Sequence, residues 1–443
     1  MNMNNIYKLG LVCSIIGIIF TIIGFAIDTT SLWHSGLALF AVGFAIGSGY
    51  WSSLKNYQFT LWIAAGFVLA MIYSKDLIIW GGFNITHKWI VAFVVQATMF
   101  SMGTQLSIND FVGVAKMPKA VFSGALCQFT IMPLIGYSLT LIFDFPPEIA
   151  MGIILIGSCA SGLSSNVMAY IANANLALSV SVTALCTLLS ALATPIWIKV
   201  LGDSLVAVNF FAMMASVIQI VIVPIGAAIL HDYIKNYASV QSINMIKGLA
   251  VVSLCWALYM FFGGWDALFA NASQGLKITG TLSIYFALGI VWSLIYTWLT
   301  DLIPKVKQVM PAVSMVGIIF FTTTAAASGR DNLMQVGVLL IVAMMIHNIG
   351  GYILGYVVSR YLFRVDEQAA RTIAIEVGLQ NGGMASGLAA SMGKLATIGL
   401  AAAVVTPIGN ISGSILANYW RKKDLRAQQS TPDDIAKTIP ATE

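Results

Sequence analysis

A carboxylate lies in the middle of an apolar run. Glu376 is the ninth residue of the stretch that opens at Gln368, within Glu376-Val-Gly-Leu-Gln-Asn-Gly-Gly-Met-Ala-Ser-Gly387. At the rise of a helix it sits about 12 Å below the start of that run. A charge at such depth in a bilayer costs about 2.5 kcal/mol or more, so it needs a partner charge or a bound cation. Arg371 is five residues away, off the i+3 and i+4 faces, and Lys394 lies beyond the far end of the run. The polar groups of neighbouring runs are oxygens: Gln128, Ser165, Asn166, Ser179, Thr183 and Gln380. Oxygen ligands, with carbonyls freed where a helix breaks, suit Na⁺. One carboxylate shared between two Na⁺ is chemically possible. A proton in place of Na⁺ is the competing assignment.

A second segment has the same character, Gly157-Ser-Cys-Ala-Ser-Gly-Leu-Ser-Ser-Asn166. Glycine weakens a helix, and its small polar neighbours need partners that lipid does not supply. The contexts match. Pro147-Glu148 precedes the first segment and Asp366-Glu367 the second. Each follows a run with a polar residue and a small-residue bend, Gln128 with Pro133 and Gly136, and His347-Asn348 with Gly350-Gly351. Each leads into a long run with Thr-Pro, at Thr194-Pro195 and Thr406-Pro407. This is an internal repeat of three-helix units. Five core helices separate the starts of the copies, and an odd number puts them in opposite orientations. Paired interrupted helices in inverted repeats point to a secondary-transport site at the midplane. Close packing of small residues explains the glycines, but not Glu376, Gln380, Asn381 and Asn166 in the same segments.

The elements that carry these residues must be membrane spans. Of 443 residues, 59% are hydrophobic and 9% charged, against about 25% charged in soluble domains. That excludes a large soluble enzyme, a disulfide scaffold and a nucleic-acid binder. Fourteen apolar runs are expected to cross: Lys8–Ile27, Leu32–Tyr50, Gln58–Tyr73, Trp89–Gln105, Lys119–Phe143, Glu148–Ala172, Asn175–Leu201, Phe210–Leu230, Met245–Phe262, Leu282–Leu302, Met310–Ala327, Leu333–Phe363, Gln368–Met392 and Leu395–Trp420. The first, without a small-x-small cleavage pattern after it, reads as an uncleaved helix. Alternating sides along these runs puts sixteen of the 22 Lys and Arg on the side of the N-terminus and six on the other. The positive-inside rule makes the first side cytoplasmic, with both termini inside. The cysteines and histidines show no metal-ligand spacing. His347 beside Asn348 reads as a neutral helix-to-helix hydrogen-bond donor, and Asp301 and Asp331 as solvated loop acids.

At its two broken segments the sequence resembles the bile acid:sodium symporter family, bacterial members included. The matching stretches are Met99-Phe-Ser-Met-Gly103, Gln128 with Met132-Pro133, Gly157 to Asn166, Leu178-Ser-Val-Ser-Val-Thr183, Ile375-Glu-Val-Gly-Leu-Gln-Asn381 and Asn410-Ile-Ser-Gly-Ser414. The resemblance implies an all-α polytopic fold of two inverted five-helix repeats, with a panel domain, a core domain and two broken helices crossing at the substrate site. It implies two Na⁺ sites. One would use Ser165, Asn166, Ser179, Thr183 and Glu376. The other would use Gln128, Glu376, Gln380 and the carbonyls of Val377 and Leu379. Asn381 and Asn410 would face the substrate or the crossing. It implies a small organic anion as cargo, members carrying bile acids, steroid sulfates, pantothenate-like acids and keto acids.

The sequence also departs from that pattern. The usual Cys-Pro-Gly-Gly-Thr is Cys159-Ala-Ser-Gly-Leu163, which softens the break and removes a hydroxyl at Leu163. The Ser common after Gln-Asn is Gly382, and the His often before the later Asn is Gly409. Leu163 and Gly409 are expected to give a more apolar substrate cavity. The expected organisation is an extra hairpin over 1–57, core over 58–230, an inserted helix pair over 231–307, the remainder of the core over 308–420 and a polar cytoplasmic tail over 421–443. The extra pairs would enlarge the panel or form a homodimer contact. The leading reading is a Na⁺-coupled importer of an organic anion in the inner (plasma) membrane. The alternative is a proton-coupled transporter or antiporter on the same fold. An intramembrane enzyme ranks last, with no G-x-S-x-G elbow and no paired aspartates. A sensor would bind ligand without flux.

Overall fold

The computed structural model describes residues 3–55 and 57–429. Helices make up 85% of it. In chain order they are α1 (Met3–Ala26), α2 (Thr30–Gly47), α3 (Gln58–Ile72), α4 (Lys88–Gly103), α5 (Ile108–Lys116), α6 (Pro118–Ile142), α7 (Pro147–Ser158), α8 (Ser164–Ile171) and α9 (Leu176–Gly202). Then come α10 (Phe210–Asn236), α11 (Val240–Phe269), α12 (Gln274–Leu302), α13 (Lys305–Ser328), α14 (Arg330–Leu362), α15 (Glu367–Gly378), α16 (Gly382–Ser391) and α17 (Gly399–Gln429). Among the described residues, ten helices are long and apolar enough to cross a membrane alone, or eleven if the bent pair α4–α5 counts as one span. The expected spans that do not reach that length alone fall on α3, α4 and the interrupted pairs α7–α8 and α15–α16. A short hairpin, Ile79–Trp80 with Phe83–Asn84, precedes α4. Gly81 and Gly82 turn it with φ of 57° and 86°, angles glycine adopts without a Cβ penalty.

The helices sort into two bodies. Helices α3, α13, α4 and α10 pack in that order as a row. Helices α6, α7–α8, α9, α14, α15–α16 and α17 form the second body, held by the main apolar core. The extra pairs extend the row at opposite ends: α2 packs on α3 with α1 outside it, and α12 packs on α10 with α11 outside it. The N-terminal pair meets through glycines. A Cβ on Gly10 would lie 2.7 Å from the Gly47 nitrogen, and one on Gly43 would lie 2.8 Å from the Gly10 carbonyl oxygen. Small residues at such a seam let two backbones approach in lipid.

Ion pairs between separate segments join residues that the alternation puts on one side of the membrane. Lys394 pairs with Glu148 at 2.6 Å, Arg371 with Asp424 at 2.9 Å, and Lys235 with Asp301. In the loop after α9, the Lys199 ammonium and the Val208 amide hold the Asp203 carboxyl below its usual range.

The tail expected from Arg421 is partly helix. α17 continues to Gln429, because Lys, Arg, Leu, Ala and Gln are good helix formers. The extension also has a tertiary anchor. Asp424 accepts two hydrogen bonds from Arg371, a buried guanidinium that also pairs with Glu367 and lies over Trp420. Residues 430–443 lie outside the described residues. Asp424→Ala leaves Arg371 with half its partners and is expected to cost about 1–3 kcal/mol, read as a lower unfolding temperature in detergent. An unchanged temperature would show that the anchor contributes nothing.

Candidate functional site

Both broken spans stop in mid-body and restart after a short extended stretch. α7 ends at Ser158 with Cys159 extended, and α15 ends at Gly378 with Leu379 extended. The two stretches cross and pair: Ser161 and Gln380 form an antiparallel bridge. The Gly162 amide donates to the Leu379 carbonyl at 3.0 Å and the Asn381 amide to the Ala160 carbonyl at 3.1 Å. This satisfies backbone groups that lipid could not. Ala160 in place of a proline therefore does not mend the helix, because the break is held from across the crossing.

The preceding helix of each repeat caps the first half of each broken span. Gln128 on α6 donates to the Cys159 carbonyl at 2.9 Å, and Asn348 on α14 donates to the Gly378 carbonyl at 2.7 Å. Buried helix ends leave carbonyls that need such partners. The matched polar residues of the internal repeat thus hold matched positions. His347 is buried with its ring against Gly157, where a Cβ would lie 2.9 Å from Nε2.

Glu376 lies at the crossing, fully buried. Its Oε1 accepts hydrogen bonds from Ser165 Oγ at 2.6 Å and from Ser179 Oγ. Its Oε2 accepts from Thr183 Oγ1 at 2.9 Å and from Ser161 Oγ at 2.6 Å. Asn166 joins through its Oδ1, which accepts from Ser179 at 2.8 Å. No Lys, Arg or His pairs with the carboxylate among the described residues. The first expected ligand set is therefore one cluster, and a carboxylate ringed by neutral hydroxyls has the chemistry of a monovalent-cation site. Ser161 was missing from the expectation. Its only sequence signal is a hydroxyl inside the break.

The second expected set forms a separate cluster of amides. Gln128 Nε2 donates to Gln380 Oε1 at 2.8 Å, and Gln380 Nε2 donates to the Val377 carbonyl at 2.6 Å. The Leu379 carbonyl accepts the Gly162 amide, as the Val377 carbonyl accepts Gln380, and the side-chain hydrogen bonds of Glu376 go to the hydroxyl cluster.

A cavity lies against the crossing, between the row and the second body. Leu163, Gln380, Asn381 and Asn410 line it, with Met102 and Ser314 across from them. Its lining has no charged side chain among the described residues. The N-termini of α8 and α16 begin at its wall, at Ser164 and Gly382, and Asn381 caps α16 by accepting from the Met384 amide. Gly409 departs from the expectation. It faces Leu379 and Asn348, and its carbonyl accepts from Tyr352 and Ser412. A second cavity lies on the other side of the crossing, lined by Thr86, Gln96, Gln219, Ser391 and, from the inserted pair, Tyr285. Between the two, Gly383 on α16 meets Met99 and Ile318, and Gly387 meets Val95 and Ile220.

The chain matches known proteins along this framework. Residues 92–271 match the model of the sodium bile acid symporter family. The sodium-dependent transporter YocS of Bacillus subtilis is 30% identical over 344 residues, 77% of this chain and 86% of that protein. The chain belongs to the sodium bile acid symporter family. A probable chloroplastic sodium/metabolite cotransporter of Arabidopsis thaliana is 26% identical over 366 residues, 82% of this chain and 73% of the relative. The human ileal sodium/bile acid cotransporter is 33% identical over 177 residues, 39% of this chain and 51% of the relative. Membership makes the protein a membrane transporter of a sodium-dependent family and not an enzyme.

Proposed function

We propose that the protein imports an organic anion together with Na⁺ by alternating access. The observation that carries this reading is the buried Glu376 carboxylate, met by four hydroxyls and, among the described residues, by no cationic side chain. A buried charge needs compensation, and Na⁺ seated on the carboxylate supplies it. The hydroxyl cluster is one Na⁺ site. The amide cluster of Gln128 and Gln380, with the Val377 carbonyl, is the candidate second one. The names of the relatives support sodium coupling to a bile acid or a metabolite.

The substrate occupies the cavity lined by Leu163, Asn381 and Asn410. With no lysine or arginine there among the described residues, its anionic group is held by the N-termini of α8 and α16 and by the Asn side chains, with the field of bound Na⁺ behind them. Its apolar body lies on Met102, Met315 and Ile318. This cavity is built from the ends of α3, α4 and α13 nearest the lysine-rich side, so the conformation faces the cytoplasm. In a plasma membrane both termini are then inside. The second cavity is the opposite antechamber, and the seam of Gly383 and Gly387 closes it off. In this reading residues 58–230 and 308–420 do the transport and the extra pairs brace the panel.

The test is uptake into proteoliposomes of a labelled bile acid, steroid sulfate, pantothenate and keto acid. Accumulation of one of them is expected under an inward Na⁺ gradient and not under a K⁺ gradient. Accumulation driven by a proton gradient without Na⁺ would replace this reading with proton coupling.

A further inference from the structure

Three of the four hydroxyls on Glu376 come from α8 and α9, set back from the crossing. Ser161 is different. It lies in the break itself, 1% exposed, and its backbone is the half of the antiparallel bridge that faces Gln380. Its hydroxyl donates to Glu376 Oε2 at 2.6 Å. Its next neighbours, Gly162 and Leu163, line the substrate cavity, as do Gln380 and Asn381 on the strand it pairs with. Ser161 therefore has its side chain in the ion cluster and its backbone joined to residues of the cavity wall, Gly162 next in the chain and Gln380 across the bridge.

We propose that Ser161 is a ligand of the coupled Na⁺ and the positioning residue through which ion occupancy sets the crossing strands of the substrate cavity. This rests on Glu376 as the cation-binding carboxylate. A hydroxyl carries one proton and two lone pairs, so Ser161 can keep its bond to the carboxylate while presenting oxygen to a cation beside it. The two backbone bonds flanking the bridge, Gly162 to Leu379 and Asn381 to Ala160, carry any shift of Ser161 to both walls together. Without Na⁺ the strands are held to the ion cluster by hydroxyl hydrogen bonds, Ser161 to Glu376 and Ser165 to the Gly162 carbonyl. With Na⁺ they are fixed, and the cavity is ready for substrate.

The experiment uses the full chain with Cys13 and Cys255 replaced by Ala. Two variants lack the hydroxyl, Ser161→Ala and Ser161→Gly, so that a folding failure of one leaves the other. The first readout is the Na⁺ concentration at half-maximal thermal stabilisation, at constant ionic strength with K⁺. The expected change is an increase of about tenfold or more, on the order of 1.4 kcal/mol, measured relative to each variant's own unfolding temperature in K⁺. The second readout is the rate at which a membrane-impermeant methanethiosulfonate modifies Leu163→Cys. That rate is expected to depend on Na⁺, and to lose the dependence at saturating Na⁺ when Ser161→Ala or Ser161→Gly is added. An unchanged midpoint in both hydroxyl-free variants, or Na⁺-dependent labelling that persists in them, overturns the proposal alone. A parent protein with no response to Na⁺ overturns it together with the cation site.

Discussion

Glu376→Gln is expected to abolish Na⁺-driven uptake while the protein still folds and reaches the membrane. The amide keeps the shape of the carboxylate and one oxygen acceptor, so the hydroxyls of Ser161, Ser165, Ser179 and Thr183 are not left without a partner group. What it loses is the negative charge, which among the described residues no other side chain in contact with that cluster supplies. A cation would then enter a buried site of neutral oxygens with nothing to offset its dehydration. At a Na⁺ concentration a hundred times the dissociation constant, the wild-type protein gains about 2.7 kcal/mol from the ion, and the variant should gain none. Glu376→Ala has the same functional outcome but also empties the cluster of its acceptor, so the Gln variant separates charge from packing. Uptake in Glu376→Gln at the wild-type rate and with the same Na⁺ dependence would remove Glu376 from the ion site.

Gly387→Leu is expected to stop transport and to leave Na⁺ binding intact. The seam between the two cavities is a stripe of small residues on α16 pressed against Val95 of α4 and Ile220 of α10. A Cβ at position 387 would already stand 3.3 Å from both γ-carbons of Val95 and 3.4 Å from Ile220. A leucine adds three more carbons there. Overpacking of this kind costs about 1–3 kcal/mol, roughly a five- to 150-fold shift between two conformations. The ion cluster stands on α8, α9, α15 and the break before α8, and the Cβ at position 387 meets none of them. Na⁺-dependent thermal stabilisation should therefore survive while uptake falls at least about tenfold. Gly387→Ala, which needs a shift of only a few tenths of an ångström, is the graded control and should transport. Full uptake by Gly387→Leu would show that the two bodies do not slide along this seam.

Much of the architecture was legible because lipid enforces simple rules. An apolar run must be a helix, so each expected span falls on a helix or an interrupted pair. The breaks at 157–166 and 376–387 announced themselves through glycine and buried oxygen chemistry. That Glu376, Ser165, Ser179 and Thr183 meet one another was legible through the family resemblance, which groups these oxygens.

The parts that were not legible depend on facing and on long-range pairing. Adjacent residues on a helix point about 100° apart. Asn410 reaches the cavity, and Gly409 consequently turns to Leu379 and Asn348. Ser161 enters the ion cluster only because the first break pairs with the second, a contact between residues more than 200 positions apart. The pairing of Asp424 with Arg371 is of the same kind, and without it Arg421 to Gln429 looks like a solvated tail.

The most direct test of the account needs no substrate. The unfolding temperature of the purified protein is measured across Na⁺ concentrations, with K⁺ replacing Na⁺ at constant ionic strength. A ligand that binds only the folded state raises stability with ln(1 + [L]/Kd). The account predicts a saturable rise in Na⁺ that K⁺ does not reproduce. Identical unfolding in Na⁺ and K⁺, with stability instead following pH through the titration of a buried acid, would contradict it and assign Glu376 to protons.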